Sequence, residues 1–187
     1  MIRIPGLIPR GRRVSRKHHI HTAGKKLRYH HLAVTMTMAD FPPNQALKDF
    51  EQLIGTWDTV GNHALIPGVT LHGKTTFSWH ESGAFIIVRS SIQEDVGIPR
   101  GIAIIGSDDE LGTYSMVYYD ERGVSRTMEV SMEQGVLRWW RNDPALSQRY
   151  TLTVSKDGNT IVGKGEMSRN GSAWEKDLDL DYMKVGK

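Results

Sequence analysis

The chain has 187 residues, 24 of them Lys or Arg and 21 Asp or Glu, and no cysteine. That length suffices for one domain with its own core, since a domain near 150 residues buries roughly 70% of the surface it exposes when unfolded. The missing cysteines exclude a disulfide framework, a thiolate nucleophile and a Cys-ligated metal, and no stretch approaches the roughly 18 to 20 uninterrupted apolar residues of a membrane-spanning helix.

The net charge of +3 conceals a segregation. Residues 1–37 hold nine Lys or Arg, five of the eight histidines and no acid, which leaves the rest of the chain at about −6. With no sustained apolar period, this basic leader cannot offset its ordering entropy and is expected to be disordered. Three readings fit it: an upstream stretch translated only on paper and not part of the native protein, a targeting segment, or a nucleic-acid-binding arm. Met36 and Met38 stand just before Asp40, where ordinary composition resumes, and a chain starting at Met38 is expected to fold as well as the full one. No apolar run follows the early arginines as a secretory signal requires, and the expected compartment is the cytoplasm. A basic tail beside an acidic body speaks against a nucleic-acid partner, because that reading needs the basic stripe on the folded surface. A membrane partner is not expected either.

The body, residues 38–187, opens with Pro42 and Pro43, which are tolerated in a first helical turn. Ala46, Leu47, Phe50, Leu53 and Ile54 then recur at spacings of three and four, which predicts one short amphipathic helix ending at Gly55. Beyond Gly55 the apolar period drops to about two. Turn signals such as Glu81-Ser82-Gly83, Asp120-Glu121-Arg122-Gly123, Gln134-Gly135 and Asn170-Gly171 follow at the intervals of consecutive strands. They delimit ten strands, at 56–61, 71–79, 84–93, 101–107, 113–119, 125–132, 136–141, 148–154, 160–168 and 174–184. In the last, Leu178, Leu180 and Tyr182 alternate with Asp177, Asp179 and Asp181, so the acidic row is expected to face water. Short connections without intervening helices predict an all-β, antiparallel up-and-down barrel of about ten strands with one short N-terminal helix. Closure removes the exposed edges of such a meander.

The segment Gly55-Thr56-Trp57, after a short helix and at the start of the first strand, resembles the G-x-W signature of the calycin superfamily, which includes lipocalins, fatty-acid-binding proteins and nitrobindin-like barrels. With Leu53-Ile54 before it, Gly73 to Trp79, Tyr118 to Gly123 and Trp174 to Asp177, the pattern looks like uncharacterised bacterial lipocalin-like proteins across about 145 residues. The resemblance implies that Gly55 and Trp57 close one barrel end, covered by a basic side chain from the last strand, Lys184 or Lys176. Nitrobindin-like proteins bind haem through a longer G-x-W-x-G-x-G motif and a proximal histidine near the C-terminus. Here Thr59 stands in place of the middle glycine and no histidine follows His80, so haem is disfavoured, with Tyr182 or a methionine the remaining ligand candidates. The Arg-x-Tyr clamp of fatty-acid-binding barrels is not matched either, because Arg149 and Tyr150 are adjacent and point to opposite faces.

Polar residues in register with apolar ones carry the functional reading. Arg126 alternates with Met128, Val130 and Met132 and is expected to point inward, there to meet an internal carboxylate, an anionic ligand or the barrel rim. Tyr118 shares a face with Tyr114 and Met116. Trp140 shares one with Val136 and Arg138, although Leu137 and Trp139 compete for the interior; Arg89 has apolar neighbours on both faces, and its direction stays open. His63 follows the first strand in a segment able to arch over a barrel mouth, whereas His72 and His80 alternate with polar residues and are expected in solvent. No metal-ligand spacing, nucleophile elbow or phosphate loop occurs in the body. The expected function is therefore binding of a small, partly apolar ligand by Arg126, Tyr118, Met128, Trp140, Arg89 and His63, in a monomer or homodimer, with no cofactor and no metal. The rivals are an isomerase or cyclase using His63 and Tyr118 as acid and base, and a structural or partner-binding barrel with a filled interior.

Overall fold

The computed structural model describes residues 43–80 and 82–186. The basic leader, residues 1–37, lies outside them, as does every expectation made for it. Ten strands follow one helix: β1 (Gly55–His63), β2 (Leu71–Trp79), β3 (Ile86–Ile92), β4 (Gly101–Asp108), β5 (Thr113–Asp120), β6 (Ser125–Glu133), β7 (Val136–Arg141), β8 (Leu146–Val154), β9 (Thr160–Arg169) and β10 (Glu175–Lys184). Each pairs antiparallel with its sequence neighbours, and β1 pairs with both β2 and β10, closing the barrel. This is the fold class that the period-two pattern and the turn spacing predict. Among the described residues no helix is long and apolar enough to cross a membrane.

The helix differs in kind from the expected one. It is a 3₁₀ helix over Gln45–Leu53, and the residues it buries are Leu47, Phe50 and Leu53. That spacing of three is the 3₁₀ repeat, which stacks the three side chains in one row. Asn44 caps the start, its side chain accepting from the Ala46 N–H at 3.0 Å. The row plugs one end of the barrel, where the Tyr114 hydroxyl donates to the Ala46 carbonyl at 2.9 Å and Phe50 meets the Tyr114 ring edge-on at 5.1 Å. Trp57 lies in the same plug, with no exposed surface. Its indole N–H donates to the Leu53 carbonyl at 2.8 Å, and Lys184 Nζ sits 5.0 Å from the ring centroid. Gly55, Trp57 and Lys184 lie together at this helix-capped end. A side chain on Gly55, at φ 141°, would also press on Lys184.

The opposite end is open and carries the long connections between β1 and β2 and between β3 and β4. The tight hairpins are set by backbone chemistry: Gln134 and Gly135 join β6 to β7 with φ of 49° and 80°, the positive pair that a two-residue turn matched to strand twist requires. One irregularity shapes the open end. Between Lys176 and Asp179, β10 advances three residues while β9 advances two, from Glu166 to Lys164. This bulge resets the alternation. Asp177 is therefore not part of an outward acidic row, as the sequence predicts, but turns to the barrel rim beside His63.

Candidate functional site

The barrel encloses a cavity of about 500 Å³ that reaches the open end, within the range of small-molecule sites. Its middle wall is apolar. Met116 and Met128 face each other across β5 and β6, and Phe77, Trp139 and Tyr150 line the cavity beside them. Trp139 stacks on Tyr150 at 5.4 Å with ring planes 10° apart. Both rings lie inward because their strands alternate with the buried Leu137 and Leu152.

Polar groups gather at the mouth. Arg126 and Tyr118 are direct cross-strand partners on β6 and β5 and both line the cavity. Arg126 Nη1 donates to Gln148 Oε1 at 2.8 Å, and Gln148 Nε2 donates to Asp177 Oδ2 at 3.3 Å. His63 Nε2 lies 3.1 Å from Asp177 Oδ1, while His63 Nδ1 accepts from the Leu65 N–H at 3.0 Å. This chain runs from β6 through β8 and β10 to the loop after β1, and it ties Leu65 and Ile66 over the cavity mouth. Nδ1 is thus taken up by the backbone, and Nε2 lies against the Asp177 carboxylate.

A second group stands on the other side. Tyr118 donates to Asp120 Oδ2 at 3.1 Å, and Arg122 Nη2 donates to the same oxygen at 2.6 Å. The Arg122 hydrogen bonds hold the Asp120 carboxyl down at about 2. Burial, with the Asp120 charge adding to it, pushes the Tyr118 phenol up to about 12. Arg122 is thereby neutralised. Arg126 and Arg169, which also line the mouth, take part in no ion pair among the described residues.

Of the residues singled out in the sequence, Arg126, Tyr118, Met128 and His63 come together on this cavity. Trp140 and Arg89 do not. Trp140 pairs with the outward-facing Glu129 and Arg149; the interior place on β7 goes to Trp139, one residue earlier. Arg89 is exposed on the outer wall, between Thr76 and Ile102, because Ile86 and Val88 take the inner face of β3. The sequence reading missed Gln148, although it shares parity with Tyr150 and Leu152. It also missed Asp177, which no alternation reveals across a bulge. His72 is bound to Glu94 at the surface, as its polar neighbours predict, whereas His80 packs edge-on to Phe85 with Nδ1 buried and unpartnered among the described residues.

Deeper in the cavity, the Tyr150 and Tyr182 hydroxyls meet at 3.4 Å. Burial raises the phenol of Tyr182 to about 12 and that of Tyr150 further. An unfolded tyrosine ionises near pH 10, so above that pH the folded state holds protons that the unfolded chain has released. Stability therefore falls as pH rises from about 10 towards 12. In an ultraviolet titration, the native protein is expected to show a phenolate step near pH 10 well below that of the urea-unfolded chain, the missing tyrosines appearing only on unfolding. A full-sized step with the barrel intact contradicts the burial of Tyr118, Tyr150 and Tyr182.

The fold and cavity define a class, a closed antiparallel ten-strand barrel with one helix-plugged end and one polar mouth. No protein-family model and no curated protein matches the sequence. Among solved structures, the chain is similar to the crystal structure of Rv2717c from M. tuberculosis, with a TM-score of 0.54 and 13% identity over 77% of this chain and 99% of that one. At that identity the likeness establishes the shared barrel fold alone.

Proposed function

We propose that the barrel binds a small, partly apolar anion, with Arg126 receiving the charged group at the mouth and the methionine and aromatic wall receiving the rest. One observation carries this reading: Arg126 points into the cavity, half-buried, and its charge is met by a neutral amide, Gln148, rather than by a carboxylate. An uncompensated guanidinium beside an apolar cavity favours an anionic occupant. We also read the chain as a lipocalin-like member of the calycin superfamily, supported by Gly55-Thr56-Trp57 after a short helix and by Lys184 over the Trp57 ring.

The rival readings have less support. General-base catalysis by His63 is disfavoured because its Nδ1 is bonded to the Leu65 N–H and its Nε2 lies 3.1 Å from the Asp177 carboxylate. A filled structural interior is disfavoured by a cavity of about 500 Å³. Haem has little support: among the described residues His63 is the one histidine on the cavity, its Nδ1 is bonded to the Leu65 N–H and its Nε2 lies against the Asp177 carboxylate.

The test is native mass spectrometry of the protein purified from its own source, alongside Arg126→Met. A co-purifying anion is expected in the parent. Arg126→Met should weaken its binding about ten- to hundredfold, the range of hydrogen bonds to a charged group. Undiminished ligand in Arg126→Met would reject Arg126 as the anchor; an empty barrel that no added organic anion stabilises in a thermal melt would reject the reading altogether.

A further inference from the structure

The cavity has a second polar site at depth, and it is unsatisfied. Thr59 lines the cavity with 4% of its surface exposed, and its hydroxyl is buried with no hydrogen-bond partner among the described residues. Thr59 stands directly opposite Tyr182 across β1 and β10, and opposite Gly73 across β1 and β2. Tyr182 and Tyr150 make one long hydrogen bond of 3.4 Å between them, in which either hydroxyl is the donor. One phenol proton is therefore left over in this pair, and on the strand next to Tyr182 the Thr59 hydroxyl is unspent. Buried polar groups are almost always paired, and an orphan calls for an occupant.

The position of this site follows from the strands. Tyr150 is one inward step along β8 from Gln148, roughly 7 Å of strand. Its ring runs on down the wall across Gly165 and Gly163, where a Cβ would strike the ring or the hydroxyl. The hydroxyl cluster thus lies well below Arg126, with Met116, Met128 and Trp139 between. Thr59 also occupies the place where the longer motif of the nitrobindin-like barrels has glycine, so the departure from that motif is what puts an orphan hydroxyl in the cavity.

Building on the anion reading above, we propose that the ligand is bipolar: an organic acid whose far end carries a hydroxyl or carbonyl oxygen bound by Thr59 and the Tyr150 and Tyr182 pair. The anion is read at the mouth and the oxygen at the floor, and the apolar middle sets the distance between them.

The test uses hexanoate, octanoate and decanoate, each beside its terminally hydroxylated counterpart, titrated into the full chain by calorimetry. The series spans the separation of the two sites. At the matching length the hydroxy acid is expected to bind about tenfold tighter than the plain acid, the upper range for one well-placed hydrogen bond. Thr59→Val is expected to abolish that preference, to leave the plain acid's affinity unchanged, and to melt no lower than the parent, since it removes an unpaired group at constant shape. Equal affinities at every length, with both acids still weakened by Arg126→Met, would overturn the floor site and assign its hydroxyls to water while leaving the anion site standing. A preference that survives Thr59→Val would overturn the role of Thr59. If no acid binds at any length, the anion reading fails and the bipolar ligand fails with it.

Discussion

Trp57→Ala is expected to destabilise the barrel by about 3 to 5 kcal/mol, the usual cost of truncating a large core aromatic, in urea denaturation followed by circular dichroism. Three contributions converge on this residue. The indole is fully buried against the helix row of Leu47, Phe50 and Leu53, its N–H satisfies the Leu53 carbonyl next to the helix end, and Lys184 covers its face. Removing the ring opens a hole in the plug and leaves a buried carbonyl unpaired, which costs about 1 to 3 kcal/mol in its own right. Trp57→Phe separates the two effects, since it keeps most of the volume and loses only the donor. Its expected loss is about half that of Trp57→Ala, whereas a loss below about 1 kcal/mol for Trp57→Ala would mean that the plug is held elsewhere.

The sequence reveals those features that depend on period and punctuation. Strand after strand begins and ends within two residues of its turn signals, because alternation and Gly, Asn and Asp turns are local properties. Arg126 is legible for the same reason: its partners at two-residue spacing are all apolar. What the sequence hides depends on comparison between faces or on irregular backbone. On β7 both Leu137-Trp139 and Val136-Trp140 make credible inner faces, and the choice is made by partners on β6 and β8, where Val130 and Tyr150 are inward and Glu129 and Arg149 are not. On β3 the same ambiguity places Arg89 on the outer wall. On β10 the bulge shifts the alternation partway along the strand, so Asp177 reaches the mouth although every neighbour at its spacing reads as solvent. The helix keeps its expected place but not its period, because the plug selects residues three apart. The floor site was half visible: Thr59 is conspicuous as a departure from a motif, but its lack of a partner is a three-dimensional fact.

Gly61→Ala should do more damage than its one added methyl implies. Gly61 lies in the second half of β1, paired with Leu180 on β10 and Leu71 on β2. A Cβ there would fall onto the Asp179 carbonyl oxygen, with the Asp179 carbonyl carbon at 2.8 Å and Leu180 Cα at 2.9 Å. These are backbone atoms, so no rotamer change relieves the clash; one strand must move. The obstruction sits immediately after the bulge between Lys176 and Asp179, where β10 curls against β1 to bring Asp177 under His63. Overpacking a core side chain costs about 1 to 3 kcal/mol, and a backbone obstruction should reach or exceed the top of that range, a large share of the 5 to 15 kcal/mol typical of a domain. The expected result for Gly61→Ala is a loss of about 3 kcal/mol or more in urea denaturation, with faster hydrogen exchange at the β1 and β10 amides around residues 61 and 180. Gly186→Ala is the control, since a Cβ there meets nothing within 4 Å. The site should respond as well: moving β10 away from β1 pulls Asp177 from His63 and frees the loop bearing Leu65 and Ile66, so organic anions should dissociate faster from whatever Gly61→Ala protein still folds. Unchanged stability would mean that β10 does not approach β1 as closely as this register places it, and the bulge would then lose its part in setting the mouth.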